Sequence, residues 1–147
     1  VSIPQISPPE AHSLLAEGRG ATYVDVRSVP EFAQAHPAGA VNVPLLHADS
    51  RGQMAPNPEF LAVMQASFAP DAKLVLGCLS GVRSQRAAEL LTEAGYRDVV
   101  NVRAGFGGTR NALGRIVEPG WADLGLPVES EAQPGASYES LRGKARI

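Results

Sequence analysis

Cys78 is the single cysteine of the 147-residue chain, and it stands where a nucleophile would. Its surroundings read Leu74-Val75-Leu76-Gly77-Cys78-Leu79-Ser80-Gly81-Val82-Arg83-Ser84. An apolar run enters the cysteine and a helix-like pattern leaves it. Between the two lies a short turn with Gly81 in the middle and Arg83 at its end. A thiol in that position faces the N-terminus of a helix, where unpaired backbone N–H groups and the helix dipole favour an anion, and so the thiolate. A lone cysteine is more often a small buried hydrophobe than a nucleophile. The handover from strand to helix, in a loop able to wrap a small anion, favours the nucleophile here.

Other chemistries leave no comparable signal. The histidines are His12, His36 and His47, scattered and without metal-ligand spacing, and one cysteine rules out an internal disulfide or a thiolate-rich metal site. No metal and no cofactor is expected. The glycines from Gly105 onward fail the dinucleotide fingerprint, because Arg110 takes the place of its third glycine, and no GxxxxGK phosphate loop is present. A formal net charge of -2 gives no global reason to bind nucleic acid or an anionic membrane. No apolar stretch approaches membrane-spanning length, and Val1-Ser2-Ile3-Pro4 lacks the regions of a signal peptide. A persistent free thiol fits a reducing compartment, so a cytoplasmic protein is expected.

The elements that must position Cys78 follow from pattern. Apolar residues are 44% and charged residues 19%, which suits one folded domain with a full core. Ile3 to Ile6 is a short apolar start. Ser7-Pro8-Pro9-Glu10 opens a helix with Leu14 and Leu15 on its apolar face, closed by Gly18. Ala21 to Val26 reads as a buried strand, Pro30 to Ala35 as a helical turn, and Gly39 to Pro44 as a second strand. Asp49 to Pro58 reads as loop, Glu59 to Phe68 as helix, and Lys73 to Leu76 as the strand before the cysteine. Arg83 to Ala94 is a helix with Ala87, Ala88, Leu90, Leu91 and Ala94 on one face, stopped by Gly95. Asp98 to Val102 is a further strand. Such alternation implies a parallel sheet covered on both faces. Arg103 to Gly120 has no clear period. Trp121, Leu124, Leu126 and Val128 close the domain, which is taken as residues 1–129. Residues 130–147 read as a polar C-terminal tail, loosely packed.

These landmarks together resemble the rhodanese-like sulfurtransferase family. The matching stretches are Val24-Asp25-Val26-Arg27, Glu31-Phe32, His36-Pro37-Ala38-Gly39-Ala40-Val41-Asn42-Val43-Pro44, the loop Cys78 to Ser84, and Trp121-Ala122-Asp123-Leu124-Gly125-Leu126-Pro127-Val128. They stand in the family's order and cover about Ile6 to Val128. The resemblance implies a three-layer α/β/α fold with a five-stranded parallel sheet in the order 3-2-4-5-1, and a site at the carboxyl ends of the strands. Two features depart from the family pattern. Pro37 replaces a branched apolar residue, and the Gly105 to Gly120 segment is longer than the usual glycine-rich turn.

The resemblance implies thiosulfate sulfurtransferase chemistry. Cys78 takes the outer sulfur of a small-molecule donor as a persulfide, and cyanide or a thiol, a protein thiol included, removes it. Cys78 and Arg83 are the catalytic candidates. Leu79, Ser80, Gly81, Val82 and Ser84 are the substrate-binding ones, through N–H groups that hold the anionic persulfide, with Gly81 letting the turn close. Asp25, Arg27 and Glu31 are expected as supports behind them. Arg83 either attracts an anionic donor or forms a structural ion pair with Asp25 or Glu31, and both can hold at once. His36 is read as structural and Trp121 as core. The Arg103 to Gly120 segment is expected to border the site, with Arg103, Arg110 and Arg115 meeting an anionic donor.

Two rival readings stand beside this one. A thiol-dependent phosphatase or arsenate reductase also sets Cys and Arg in an anion loop at a helix N-terminus. The tyrosine-phosphatase type has one residue more between them than Leu79, Ser80, Gly81 and Val82. The shorter loop makes a smaller cradle, suited to a single sulfur atom. A non-catalytic rhodanese-like binding module is the other rival, and Cys78 argues against it.

Overall fold

Local chemistry sets where the elements begin. A computed structural model of the protein describes residues 2–146. The apolar start forms β1 (Gln5–Ile6), and α1 (Pro8–Ala16) follows it. The Ser7 hydroxyl accepts from the Glu10 N–H while the Glu10 carboxylate accepts from the Ser7 N–H, and prolines fill first-turn positions where no N–H is missed. Then come β2 (Thr22–Asp25), α2 (Val29–Gln34), β3 (His36–Pro37) and β4 (Val41–Asn42). β5 (Leu46–Ala48), β6 (Met54–Pro56) and α3 (Phe60–Ser67) lead to β7 (Lys73–Gly77), α4 (Val82–Glu93) and β8 (Asp98–Val102). β9 (Thr109–Arg110), β10 (Ile116–Glu118), β11 (Val128–Glu129) and α5 (Tyr138–Lys144) complete the chain.

The main sheet has five strands in the order β1-β8-β7-β2-β4, and every neighbouring pair is parallel. Counting only its own strands, that is the expected order 3-2-4-5-1 read from the other edge. Strand alternation divides the core in two. Val24, Leu74 and Leu76 face Phe60, Val63 and Met64 of α3, Ala87, Ala88 and Leu91 of α4, and Tyr138 and Leu141 of α5. Tyr23 and Val75 face the other way, onto Ala11, Phe32 and Trp121. The Trp121 indole donates to the Pro127 carbonyl at 2.8 Å, so the ring is core with its polar edge satisfied. No described helix is long and apolar enough to cross a membrane.

Four expectations change. The Asp49 to Pro58 loop contains β6, which pairs antiparallel with β5. The Arg103 to Gly120 segment contains the β9–β10 hairpin. Of the closing residues only Trp121 is buried; Leu126 is half-buried, and Leu124 and Val128 are exposed. The tail is not loose between Ala136 and Ala145. The Ser137 hydroxyl caps α5, Tyr138 and Leu141 enter the core one turn apart, and the Tyr138 hydroxyl accepts from Asn57 at 3.1 Å. Arg142 adds two hydrogen bonds to Glu59, at 2.6 and 3.1 Å. A short helix with two apolar residues is too faint a periodic signal to stand out from polar chain, and tertiary packing makes it stable.

Candidate active site

Cys78 follows β7 directly, at the carboxyl edge of the sheet, and Gly81 is the N-cap of α4. Between them the chain folds back on the sulfur. The Gly81 N–H donates to Cys78 Sγ at 3.1 Å and the Ser84 N–H at 3.4 Å, and the Ser84 hydroxyl oxygen lies 3.3 Å from the sulfur. Cys78 is 1% exposed, so the sulfur lies inside its own loop. The first N–H groups of an α-helix have no intrahelical acceptor, which is why sulfur can take them here.

Glycine makes the closeness possible. Gly81 has φ +97°, a left-handed conformation, and a Cβ there would lie 2.2 Å from the Arg103 carbonyl oxygen. Gly105 would put a Cβ 2.5 Å from the Cys78 carbonyl oxygen. The backbone after β8 therefore lies directly behind the loop. The Phe106 N–H donates to the Cys78 carbonyl and the Gly107 N–H to the Leu79 carbonyl, each at 2.8 Å.

Arg83 turns out of the loop to Glu31 of α2, with bonds of 2.8 and 3.0 Å to the two carboxylate oxygens. Glu31 also accepts from the Ser28 N–H and hydroxyl at the start of α2. Burial pushes the Glu31 carboxyl up, but the hydrogen bonds from Arg83 and Ser28 outweigh it and bring it down to about 2. The same bond to Glu31 holds the Arg83 guanidinium charged. Of the two partners expected for Arg83, the structure selects Glu31.

Asp25 pairs with Arg27 instead. The Arg27 guanidinium donates to the Asp25 carboxylate at 2.7 to 3.1 Å, and again to the Ala35 carbonyl at 2.7 Å. Both residues are buried, and a buried pair is tolerable where further hydrogen bonds of this kind satisfy the charges. Phe106 covers Arg27, its ring centroid 4.5 Å from the guanidinium carbon. The Asn42 amide donates to the carbonyls of Asp25 and Arg27, both at 2.9 Å, and fixes the turn after β2.

The loop residues divide by exposure. Ser84 is buried and Ser80 half-buried, while the side chains of Leu79 and Val82 stand out at 46% and 74% exposed. His36 is fully buried, with one ring nitrogen 2.7 Å from the Phe32 carbonyl and the other 3.2 Å from Glu129, as a structural residue should be. Pro37 pairs with Val128 between β3 and β11. Arg103 is spent on Glu118 at 2.9 and 3.0 Å, and Arg110 donates to the Gly114 carbonyl within its own hairpin. The backbone of Arg103 and of Gly105 to Gly107 meets the cysteine loop, while the Arg103 and Arg110 guanidinium groups bond elsewhere.

Pattern alone does not single out Asn101, Phe106 or Asn42 for a role in this region. Asn101 carries the clearest available signal, a polar residue inside Val99-Val100-Asn101-Val102. Buried polar side chains in a strand need partners, and a strand end is where a site can provide them.

The fold and this loop define a class, and comparison with known proteins gives it a name. The family model of the rhodanese-like domain matches residues 7–112. Thiosulfate sulfurtransferase 16, chloroplastic, of Arabidopsis thaliana is 35% identical over 120 residues, 82% of this chain and 88% of that protein. Thiosulfate sulfurtransferase GlpE of Haemophilus influenzae is 31% identical over 131 residues, 88% of this chain and 98% of that protein. The crystal structure of Rv0390 from M. tuberculosis matches with a TM-score of 0.74 at 31% identity, covering 89% of this chain and all of that one. The chain belongs to the rhodanese-like family.

Proposed function

We propose that the protein is a thiosulfate sulfurtransferase that carries sulfane sulfur on Cys78. One observation carries this reading: the sulfur of Cys78 sits within hydrogen-bond reach of two backbone N–H groups at the start of α4. Such a cradle stabilises a negative charge on sulfur, which both the attacking thiolate and the persulfide need.

In the first step the Cys78 thiolate attacks the outer sulfur of a donor such as thiosulfate. The new S–S bond forms as the old one breaks, and sulfite leaves with the bonding pair. In the second step cyanide, or the thiolate of a small molecule or protein, attacks the outer sulfur. Thiocyanate or a new persulfide departs, and the Cys78 thiolate returns. No external oxidant or reductant enters. Leu79, Ser80, Gly81, Val82 and Ser84 shape the cradle. Arg83, tied to Glu31, holds a positive charge at its rim, and Asp25 and Arg27 brace the strand end beneath. A carrier that must stay a free thiol between turnovers belongs in a reducing compartment such as the cytoplasm.

The compact loop favours this over a thiol phosphatase or arsenate reductase, since it closes on the sulfur atom itself. Intact-mass measurement tests the reading. Incubation with thiosulfate or glutathione persulfide is expected to add one sulfur atom to the wild type and none to folded Cys78→Ser. Cyanide should then remove it as thiocyanate. Absence of the adduct with every donor, or Cys78-dependent turnover of aryl phosphates, would transfer the case to a rival reading.

A further inference from the structure

Beneath Cys78 lies a hydrogen-bond network that the proposed steps do not use. Asn101, on β8, is 2% exposed. Its Nδ2 donates to Gln5 Oε1 at 2.8 Å and to the Gly81 carbonyl at 3.2 Å, with Gln85 Oε1 at 3.4 Å. A backbone carbonyl can only accept, so Gly81 decides which end of the Asn101 amide faces it. Gln5 is oriented by the same logic, because its Nε2 donates to the Ile3 carbonyl at 3.1 Å and its oxygen is left for Asn101. Asn101 Oδ1 therefore faces Ser84, whose hydroxyl donates to it at 2.5 Å.

A serine hydroxyl has a single proton. With that proton given to Asn101, the Ser84 oxygen offers only lone pairs to Cys78 Sγ, 3.3 Å away. A lone pair suits a thiol, which has a proton to donate. It opposes a thiolate or a persulfide anion, which has none. The Gly81 and Ser84 N–H groups serve sulfur in every state.

We propose that Asn101 is a positioning residue that holds the Ser84 hydroxyl turned away from sulfur, so that Ser84 accepts from the resting Cys78 thiol and donates only once the sulfur is anionic. This deepens the sulfur-transfer reading and rests on it for its purpose, though not for its geometry. When the thiol proton leaves to solvent, the hydroxyl rotates toward sulfur and Asn101 Oδ1 loses its donor. Because that oxygen is buried, the rotation is opposed, and the protonated resting state is favoured. The device protects the thiol between turnovers and still supplies a third donor to the charged intermediate.

The titratable and charged groups that face Cys78 are Arg83 from α4 and Tyr23 from β2, with Asp25 beside them. All three stay in place in the variants below. The test is the rate of Cys78 alkylation by iodoacetamide against pH, which reports the only thiol and needs no sulfur donor. Asn101→Ala frees the Ser84 hydroxyl. It is expected to move the midpoint of the profile down by about one pH unit and so raise the rate several-fold on the limb below that midpoint. In a Ser84→Ala background the same Asn101→Ala change should alter the rate less than about twofold, since no hydroxyl remains to be turned. Equal effects in the two backgrounds, or slower alkylation in Asn101→Ala, overturn the proposal.

Should Asn101→Ala not fold, Gln5→Ala decides alone. Gln5 lies at the exposed edge, and its loss loosens the Asn101 amide. A smaller acceleration in the same direction supports the proposal and an unchanged profile overturns it. Coupling without a persulfide would sink the sulfur-transfer function only; a persulfide without coupling would sink this inference only.

Discussion

Two stretches at the carboxyl edge of the sheet look alike in composition and differ in construction. Cys78 to Ser84 and Arg103 to Gly120 both combine glycine with arginine, and each follows a parallel strand. In the first, Gly81 presses on the Arg103 backbone, Arg83 is anchored on another helix, and the enclosed atom is a sulfur. In the second, Gly105, Gly107 and Gly108 are packed closely, and Gly120 closes back on them. At the hairpin turn between, Gly114 has nothing within 4 Å of a Cβ, and Arg110 bonds within its own hairpin. A neighbouring backbone forbids a side chain at Gly81 and Gly105 and not at Gly114, and Arg83 is held across the fold by Glu31 where Arg110 bonds only within its hairpin.

That contrast can be broken most sharply at the glycines. Gly81→Ala combines a left-handed backbone with a collision against Arg103. It should destabilise the fold by about 3 kcal/mol and lower sulfur transfer on the order of a hundredfold. Gly114→Ala meets only the backbone penalty, about 1 kcal/mol, with transfer unchanged. Thermal melts and thiosulfate:cyanide turnover on both variants would read the difference, and equal losses would undo the distinction.

The anchored arginine gives the next effect. Arg83→Lys keeps the charge but loses the two-pronged bond to Glu31, and transfer should fall about tenfold. Wild-type rates in Arg83→Lys would mean that charge alone suffices at the rim.

Glu31 makes the same point through pH. Its carboxyl sits at about 2 in the folded protein against an ordinary 4.5. A group lowered on folding stabilises the native state above its unfolded value and loses that contribution as pH falls through the folded one. The melting-temperature gap between wild type and Glu31→Gln should therefore be full above 4.5 and shrink as pH drops toward about 2. A gap that stays constant across that range would exclude the Arg83 pair as its source.

The smallest effect is expected in the hairpin. Arg110→Ala with Arg115→Ala should change transfer from thiosulfate by less than about twofold at any salt concentration, as solvated surface charges do. A larger, salt-sensitive loss would bring the hairpin back to the donor.

Much of this architecture is legible in the chain because its causes are local. Ser7 and Glu10 cap α1 across three residues, Val24 and Leu76 alternate with Tyr23 and Val75 along their strands, and the turn from Leu76 to Arg83 announces a thiol at a helix start. These are near-neighbour regularities, and near neighbours are what periodicity and capping report. Tertiary structure alone decided which groups meet. It gave Arg83 to Glu31 rather than Asp25, brought Gln5 to Asn101 across 96 positions, set Gly105 behind Cys78, and drew Tyr138 into the core beside Asn57. Each such pairing depends on how the strands are ordered and on which face a residue reaches, and neither is written within a few residues of the partners themselves.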